Sequence, residues 1–429
     1  MRLTEIPKGF KSLLPEEVRR REEVLKKIRK TVERWGYDPI SPPTIEFLEL
    51  FTAVDKNTEE FAFKLVDRFT GRLMAVRPDF TPQVARIVAS SFKDEEPPFR
   101  FYYSGKIFRD RDGDRETYQF GIELLGVKEV EADAEVISVV ANVLKELGLK
   151  SFQIDIGHTE FLEGVVEELG IENREKLLSL LKHKDFSGIE LFSDEEGITG
   201  ERREKLFSLL ELYGKEDVLE RAGELFKNEK SAKALNELKS VYSILKSYGF
   251  EERVIFDLSE KRGMEYHTGI TYEVFHPLYG FSLGMGGRYD QLTGKFGREL
   301  PATGIALSVD ALEELLEKKG LLKVSGKKDF YIIDLSPEKR RAYLIARILR
   351  EKGASVARDI VKRDYKTSMQ VAFDKGFQIV VILGKSEKSG EWIQVNFADR
   401  VEFIELDGEK LDEEGVKNWI MAEIIDKKV

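Results

Sequence analysis

Two aromatic-rich runs, Phe99 to Tyr103 and Tyr118 to Leu125, flank the charged turn Arg109-Asp110-Arg111-Asp112-Gly113-Asp114-Arg115. Strand-forming residues on both sides of so short a polar connection predict an antiparallel pair, because parallel neighbours need a long crossover. Upstream, Phe61-Ala62-Phe63-Lys64-Leu65-Val66 and Leu73-Met74-Ala75-Val76 predict a hairpin about Thr70-Gly71. Downstream, Val254-Ile255-Phe256, Gly269 to Phe275 and Gly280 to Arg288 predict further strands. A mostly antiparallel, meandering sheet follows, which excludes a Rossmann fold.

Helices punctuate this pattern. Val18, Val24, Leu25, Ile28, Val32 and Trp35 recur at helical spacing, with Pro15 suited to the start and Gly36 to the end. The Pro-punctuated segment Tyr37 to Pro43 leads into a strand. Helices are also predicted from about Pro82 to Ser91 and from Ala132 to Leu147, with a strand at Phe152 to Ile156. From Thr159 to Leu245 the chain is almost wholly amphipathic helix, broken at Gly170, Gly188, Gly197 to Gly200 and Gly214. Because β texture resumes afterwards, residues 159–248 read as a helical insertion. A helix begins near Ser308, and Lys323 to Lys328 reads as a linker. Beyond it, strand Phe330 to Ile333, helix Glu338 to Glu351, strand Ser355 to Ile360, helix Tyr365 to Lys375 and strand Ile379 to Leu383 predict a small α/β domain. The expected fold class is α+β, with a core over residues 1–322 and a second domain over 328–429.

Composition narrows the function. Hydrophobic residues at 41% and charged residues at 34% describe a globular chain, and 69 basic against 79 acidic residues leave a net charge of −10, which argues against a general nucleic-acid binder. The absence of cysteine excludes disulfides, a thiol nucleophile and thiolate metal ligands. Four histidines (His158, His183, His267 and His276) are too few to suggest a multi-histidine metal site. The start lacks a signal-peptide run, and no stretch reaches the ~18–20 apolar residues of a membrane span; with the lack of cysteine this fits a cytoplasmic protein, and no cofactor is expected.

Three stretches could carry chemistry. In Arg77-Pro78-Asp79-Phe80-Thr81-Pro82, two prolines bracket an acid and a hydroxyl that could accept hydrogen bonds from a ligand ammonium; equally, Asp79 or Thr81 could cap the following helix. Gln119, Gly121 and Glu123 share one strand face, the glycine leaving room for a ligand between two polar groups, unless the face is simply solvated. Lys261 to Gly269 and Gly284 to Asp290 combine glycines, which permit close approach, with Arg262, whose fork suits a carboxylate or phosphate. His158, alone after Gly157, reads as structural.

Read together, these stretches resemble the histidyl-tRNA synthetase family of class II synthetase-like folds, from Leu14-Pro15-Glu16 to about Leu312. Phe108-Arg109 resembles the motif 2 arginine. Arg262-Gly263-Met264-Glu265-Tyr266-His267-Thr268-Gly269 resembles the histidine signature, usually Arg-Gly-Leu-Asp-Tyr-Tyr-Thr-Gly, and Gly286-Gly287-Arg288-Tyr289-Asp290 the second signature. Within the family, Arg77 to Arg86 and Leu300-Pro301-Ala302-Thr303-Gly304 are close to the pattern of ATP phosphoribosyltransferase regulatory subunits. Synthetases usually read Arg-Pro-Glu-Gly-Thr in the first of these, carry a longer motif 2 loop, and place an ATP-neutralising arginine where Ala311 stands.

The resemblance implies a class II synthetase-like antiparallel sheet with flanking helices, without adenylate chemistry. It implies a histidine pocket in which Asp79, Thr81 and Gln119 hold the ammonium, Glu123 accepts the imidazole N–H, Arg262 with Arg109 meets the carboxylate, and Tyr266 closes the ring pocket with Phe80 alongside. His267 stands where a second tyrosine is usual. The implied partners are the short catalytic chain of ATP phosphoribosyltransferase, L-histidine as effector, and a second copy of the chain within a hetero-oligomer; tRNA binding is not expected. The block from about Lys328 resembles an anticodon-binding domain. A divergent but active histidine–tRNA ligase and a tRNA-sensing module remain the alternatives.

Overall fold

The computed structural model describes residues 3–259, 264, 266–322, 326, 328–336, 339–361, 363–386, 390–397 and 401–406. The chain divides into two compact units, residues 1–324 and 325–429.

The first unit opens with helix α1 (Pro15–Glu33), started by a proline whose missing N–H costs nothing in a first turn. Val24, Leu25, Ile28 and Val32 bury one face. Val18, expected on that face, is 44% exposed. Arg21 takes the buried place instead, because Asp310 and Glu313 supply carboxylates for its guanidinium. The chain then forms β1 (Asp38–Pro39), β2 (Ile45–Phe47), α2 (Leu48–Thr52), α3 (Thr58–Phe61), β3 (Lys64–Val66) and β4 (Leu73–Val76). Strands β2, β4 and β3 make a small separate sheet containing the expected hairpin. Phe61, expected in a strand, ends α3 instead: the Ala62 N–H bonds back to the Thr58 carbonyl.

Helix α4 (Thr81–Ser91) is followed by β5 (Phe99–Phe108), β6 (Glu116–Leu125), α5 (Glu131–Glu146) and β7 (Gln153–His158). Next come α6 (Thr159–Leu169), α7 (Arg174–Lys182), α8 (Phe186–Glu195), α9 (Glu201–Leu209), β8 (Tyr213–Gly214), α10 (Asp217–Leu225) and α11 (Glu229–Ser247). Strands β9 (Val254–Asp257), β10 (Ile270–His276), β11 (Tyr279–Arg288) and β12 (Ala302–Ser308) precede α12 (Val309–Lys318). One nine-stranded sheet results, in the order β1-β5-β6-β12-β11-β10-β7-β9-β8. Its neighbours are antiparallel except β1 with β5 and β7 with β9.

That second parallel pair gives the helical block a role. Parallel neighbours cannot be joined by a tight turn, and α6 to α11 form the crossover from β7 to β9, with β8 adding an edge strand on the way. Strand β12 is central yet was not anticipated. Ala-Thr-Gly-Ile-Ala-Leu-Ser has no two-residue alternation, and pairing with β6 and β11 on its two sides sets its conformation. His158 is structural as read: its Nδ1 accepts the Glu160 N–H at the start of α6, and its Nε2 lies 3.0 Å from Glu237.

Side-chain alternation divides the sheet. Phe120, Ile122 and Leu124 of β6 pack with α1 and α5 in one core. On the opposite face Phe101, Tyr103 and Leu125 pack with Phe80 and with Val84 and Val88 of α4. Gln119, Gly121 and Glu123 therefore face away from the main core.

The second unit contains β13 (Phe330–Asp334), α13 (Arg340–Glu351), β14 (Val356–Arg358), α14 (Tyr365–Asp374), β15 (Ile379–Ser386), β16 (Gly390–Phe397) and β17 (Val401–Leu406). Its sheet runs β14-β13-β15-β16-β17, parallel in the first three strands and antiparallel in the last two. The last two were not predicted, and they make the sheet mixed. Among the described residues, no helix is long and apolar enough to cross a membrane and no cluster of acids and histidines has metal-binding geometry.

Candidate functional site

A cavity of about 160 Å³ opens on the sheet face that carries Gln119 and Glu123. It is small beside the ~300–1,000 Å³ of drug-sized sites, which suits a ligand of amino-acid size. Asp79, Thr81, Arg109, Gln119, Glu123, Tyr266 and His267 all line it.

The side chains arrive from the start of α4, the end of β5, strand β6 and the segment before β10. The turn before α4 presents Asp79, whose Oδ1 accepts the Thr81 N–H at 3.3 Å while Oδ2 accepts the Tyr266 hydroxyl at 2.8 Å. The helix-start reading and the ligand reading of Asp79 are thus compatible. Strand β6 presents Glu123, which is 1% exposed. Three hydroxyls converge on its carboxylate: Thr81 at 2.7 Å, Tyr289 at 2.6 Å and Tyr103 at 3.3 Å. Burial pushes the Glu123 carboxyl up to about 8, although these hydroxyls favour the ionised form. An acid held near neutrality can donate or accept a proton as a polar ring enters.

On the same strand the Gln119 Oε1 is buried without a hydrogen-bond partner among the described residues. Such an acceptor suits a ligand ammonium. Arg109, at the end of β5, donates from Nε to the Pro78 carbonyl at 3.1 Å, and burial pulls its guanidinium pKa down. His267 Nδ1 accepts the Met264 N–H at 2.9 Å, which leaves the ring proton of the neutral imidazole on Nε2. Tyr266 packs edge-on to Tyr289, with ring centroids 6.1 Å apart.

Two expectations are corrected. Phe80 does not line the cavity; it is buried behind it, stacked on Tyr103 at 4.3 Å with the Arg77 guanidinium 4.0 Å from its ring. Gly121 makes room for Tyr103, not for a ligand: a β-carbon there would come within 2.2 Å of Tyr103 Cζ and 2.3 Å of its hydroxyl oxygen. Gly121→Ala is therefore expected to cost roughly 1–3 kcal/mol, as overpacking does, and to lower the midpoint of urea unfolding. An unchanged midpoint would show that the ring has elsewhere to go. Arg262 lies outside the described residues.

Tyr103 and Tyr289 are the candidate site residues that sequence reasoning missed. Their only local signals are that Tyr103 shares a strand face with Phe99 and Phe101, and that Tyr289 sits inside a signature stretch. Gly284 and Gly286 line the cavity, whereas Gly287 is packed against Ile270 and Thr271 of the next strand. Arg288 belongs to the core, bonded to Asp133.

Beside the cavity, beyond Ser308, lies a cleft lined by Glu17, Asp114, Asp310, Glu313, Glu314 and Glu317 against Lys11 and Arg20. Ala311 also lines it, in the first turn of α12, its N–H bonded to Ser308 Oγ at 3.2 Å. Asp310 is occupied structurally: it accepts the Tyr118 N–H at 2.6 Å and binds Arg21.

An antiparallel sheet of this order, backed by helices and bearing a polar cavity of amino-acid size, defines a class II synthetase-like protein. The sequence pattern described as Histidyl-tRNA synthetase matches residues 9–312, and the chain belongs to that family. A Syntrophotalea carbinolica protein named ATP phosphoribosyltransferase regulatory subunit is 35% identical over 405 residues, covering 92% of this chain and 93% of that one. A Geobacter metallireducens protein of the same name is 36% identical and covers 88% of this chain and 89% of its own. The fold is similar to a crystal structure from Bacillus halodurans described as an ATP phosphoribosyltransferase regulatory subunit/histidyl-tRNA synthetase, with a TM-score of 0.80, 32% identity, and coverage of 89% and 98%. It is also similar to histidyl-tRNA synthetase from a Nostoc species, with a TM-score of 0.76, 25% identity, and coverage of 97% and 100%.

Proposed function

We propose that this chain is a non-catalytic regulatory subunit of ATP phosphoribosyltransferase, serving the first step of histidine biosynthesis by binding the short catalytic chain and sensing L-histidine. The observation that carries the regulatory half is Ala311 in the cleft beside the cavity. Where a synthetase of this family needs a guanidinium to neutralise ATP phosphates, this chain has Ala311 among six carboxylates. Ala311 offers a polyphosphate no donor, and the neighbouring Arg20 and Arg21 guanidinium groups are engaged by Glu317, Asp310 and Glu313, so the pre-organised donors that stabilise an adenylating transition state are wanting at that position. The names carried by relatives that align over most of both chains point the same way.

The sensing half rests on the cavity. Asp79, Gln119 and Thr81 stand together where an ammonium would sit, Arg109 offers a cation for a carboxylate, and Glu123 with His267 offers polar groups to a ring. Homodimerisation within the complex is part of the same proposal. An active histidine–tRNA ligase is the competing reading, favoured by a fold similarity to a synthetase that extends over 97% of the chain.

Phosphoribosyl-ATP formation by the catalytic chain from the same source, measured with and without this protein across a histidine titration, tests both halves. Activity is expected to depend on this chain and to fall with histidine. Indifference of the catalytic chain, together with histidine-dependent ATP–pyrophosphate exchange by this protein alone, would establish the ligase instead.

A further inference from the structure

Ahead of α1, Gly9 and Phe10 are half-buried. Residues 7–11 lie across the loop 109–115 and bond to it. The Arg115 N–H donates to the Gly9 carbonyl at 3.0 Å, and the Arg115 carbonyl in turn accepts the Arg109 N–H at 3.0 Å. The Arg115 guanidinium lies 5.5 Å from the Phe10 ring and 4.7 Å from the Phe63 ring, and the two rings meet edge to face at 5.9 Å. Lys8 pairs with Asp112 at 3.7 Å. Gly9 has φ +82°, and a β-carbon on it would come within 2.7 Å of both Arg115 Cγ and the Gly113 carbonyl. This is a fitted contact made through a position that only glycine accommodates easily.

The other end of the loop is the cavity. Arg109 lines it, and its place depends on its own bonds to Pro78 and Arg115. A continuous chain therefore runs from an exposed segment, through Gly9, Arg115 and Arg109, to the cation that faces a ligand.

We propose that residues 7–11 form a latch that couples occupancy of the cavity to the surface of the first unit by holding the loop 109–115 and, through it, Arg109. A ligand carboxylate on Arg109 favours the latched state, and a partner that engages residues 7–11 shifts the same equilibrium from outside. By linkage, each then changes the affinity of the other by the same factor. The proposal rests on the reading of the cavity as a histidine site.

Amide exchange and calorimetry on the full chain test it. In the wild type, L-histidine is expected to slow exchange of the Arg109 and Arg115 amides. Gly9→Ala, which touches no cavity residue, is expected to speed their exchange without ligand and to weaken histidine binding by about fivefold or more. Phe10→Ala, which removes the ring beside Arg115 without straining the backbone, should do the same to a smaller degree and covers the case in which Gly9→Ala does not fold. Histidine binding that neither variant changes overturns the latch. If histidine does not bind the wild type at all, the histidine reading falls and its coupling with it, while ligand-free exchange still decides whether residues 7–11 hold Arg109: unchanged rates overturn that hold, and faster rates keep it.

Discussion

Arg288→Met is expected to cost the first unit roughly 3–5 kcal/mol. Arg288 ends β11 with its guanidinium inside the protein. Its Nε donates to Asp133 of α5 at 3.0 Å, and its terminal nitrogens reach the Val127 carbonyl at 3.2 Å and the Glu129 carbonyl at 3.1 Å. Asp133 is fully buried, and burial pushes its carboxyl pKa up even with the guanidinium against it. The pair therefore only about offsets its own desolvation, whereas removing one partner strands a buried charge. Against a typical domain stability of ~5–15 kcal/mol the loss is large. It would be read as a drop in the urea midpoint. Combining Arg288→Met with Asp133→Leu should recover most of it, since an apolar pair leaves no charge to strand. A double variant as weak as the single would show that the carbonyl bonds, not the charges, carry the effect.

The second large effect concerns Glu123. In the unfolded chain this carboxyl titrates near its ordinary 4.5, and in the fold burial pushes it up to about 8. Between those values the folded protein binds more protons than the unfolded chain. The stability associated with Glu123 is thus fully present below the lower value and is lost as pH rises through the upper one. Each pH unit in that window is worth up to roughly 1.36 kcal/mol, so the total reaches several kcal/mol.

Glu123→Gln keeps the shape and a carbonyl for the Thr81 hydroxyl but cannot ionise. Its stability should match the wild type near pH 4.5 and exceed it increasingly up to pH 8. The difference between two thermal unfolding series across that range isolates this group from others that titrate. Above about pH 8, where the wild-type carboxyl is ionised, the same substitution is expected to weaken histidine binding by about 10–100-fold, the worth of a charge-assisted bond to a buried carboxylate. Parallel pH profiles for the two proteins would contradict the first expectation, and equal affinities the second.

Much of this site is local in origin, and that part can be read from the chain. The aromatic runs about the charged turn were legible as an antiparallel pair because strand propensity and a short connection are both local properties. Alternation in β6 placed Gln119 and Glu123 on one face and Ile122 and Leu124 on the other, and the packing agrees. The same rule misjudged Gly121. It identifies the face a residue looks toward but not what lies over it, and what lies over Gly121 is Tyr103, directly opposite on β5. Strand β12 was missed for a related reason: a central strand with partners on both sides needs no alternation, and Ala302 to Ser308 shows none.

The sequence by itself determined that the first unit is built on an antiparallel sheet, that a helical block interrupts it, and that Asp79, Thr81, Gln119 and Glu123 stand at turn or strand positions able to face a ligand. These follow from propensity and from a repeat of two residues. Only the tertiary structure decided that Thr81 and Tyr289, 42 and 166 positions from Glu123, donate to the same carboxylate, and that Phe80 stands behind the cavity. The physical reason is that a side chain's direction is fixed by its own backbone, whereas its partners are fixed by strand register and helix packing, which no local stretch contains.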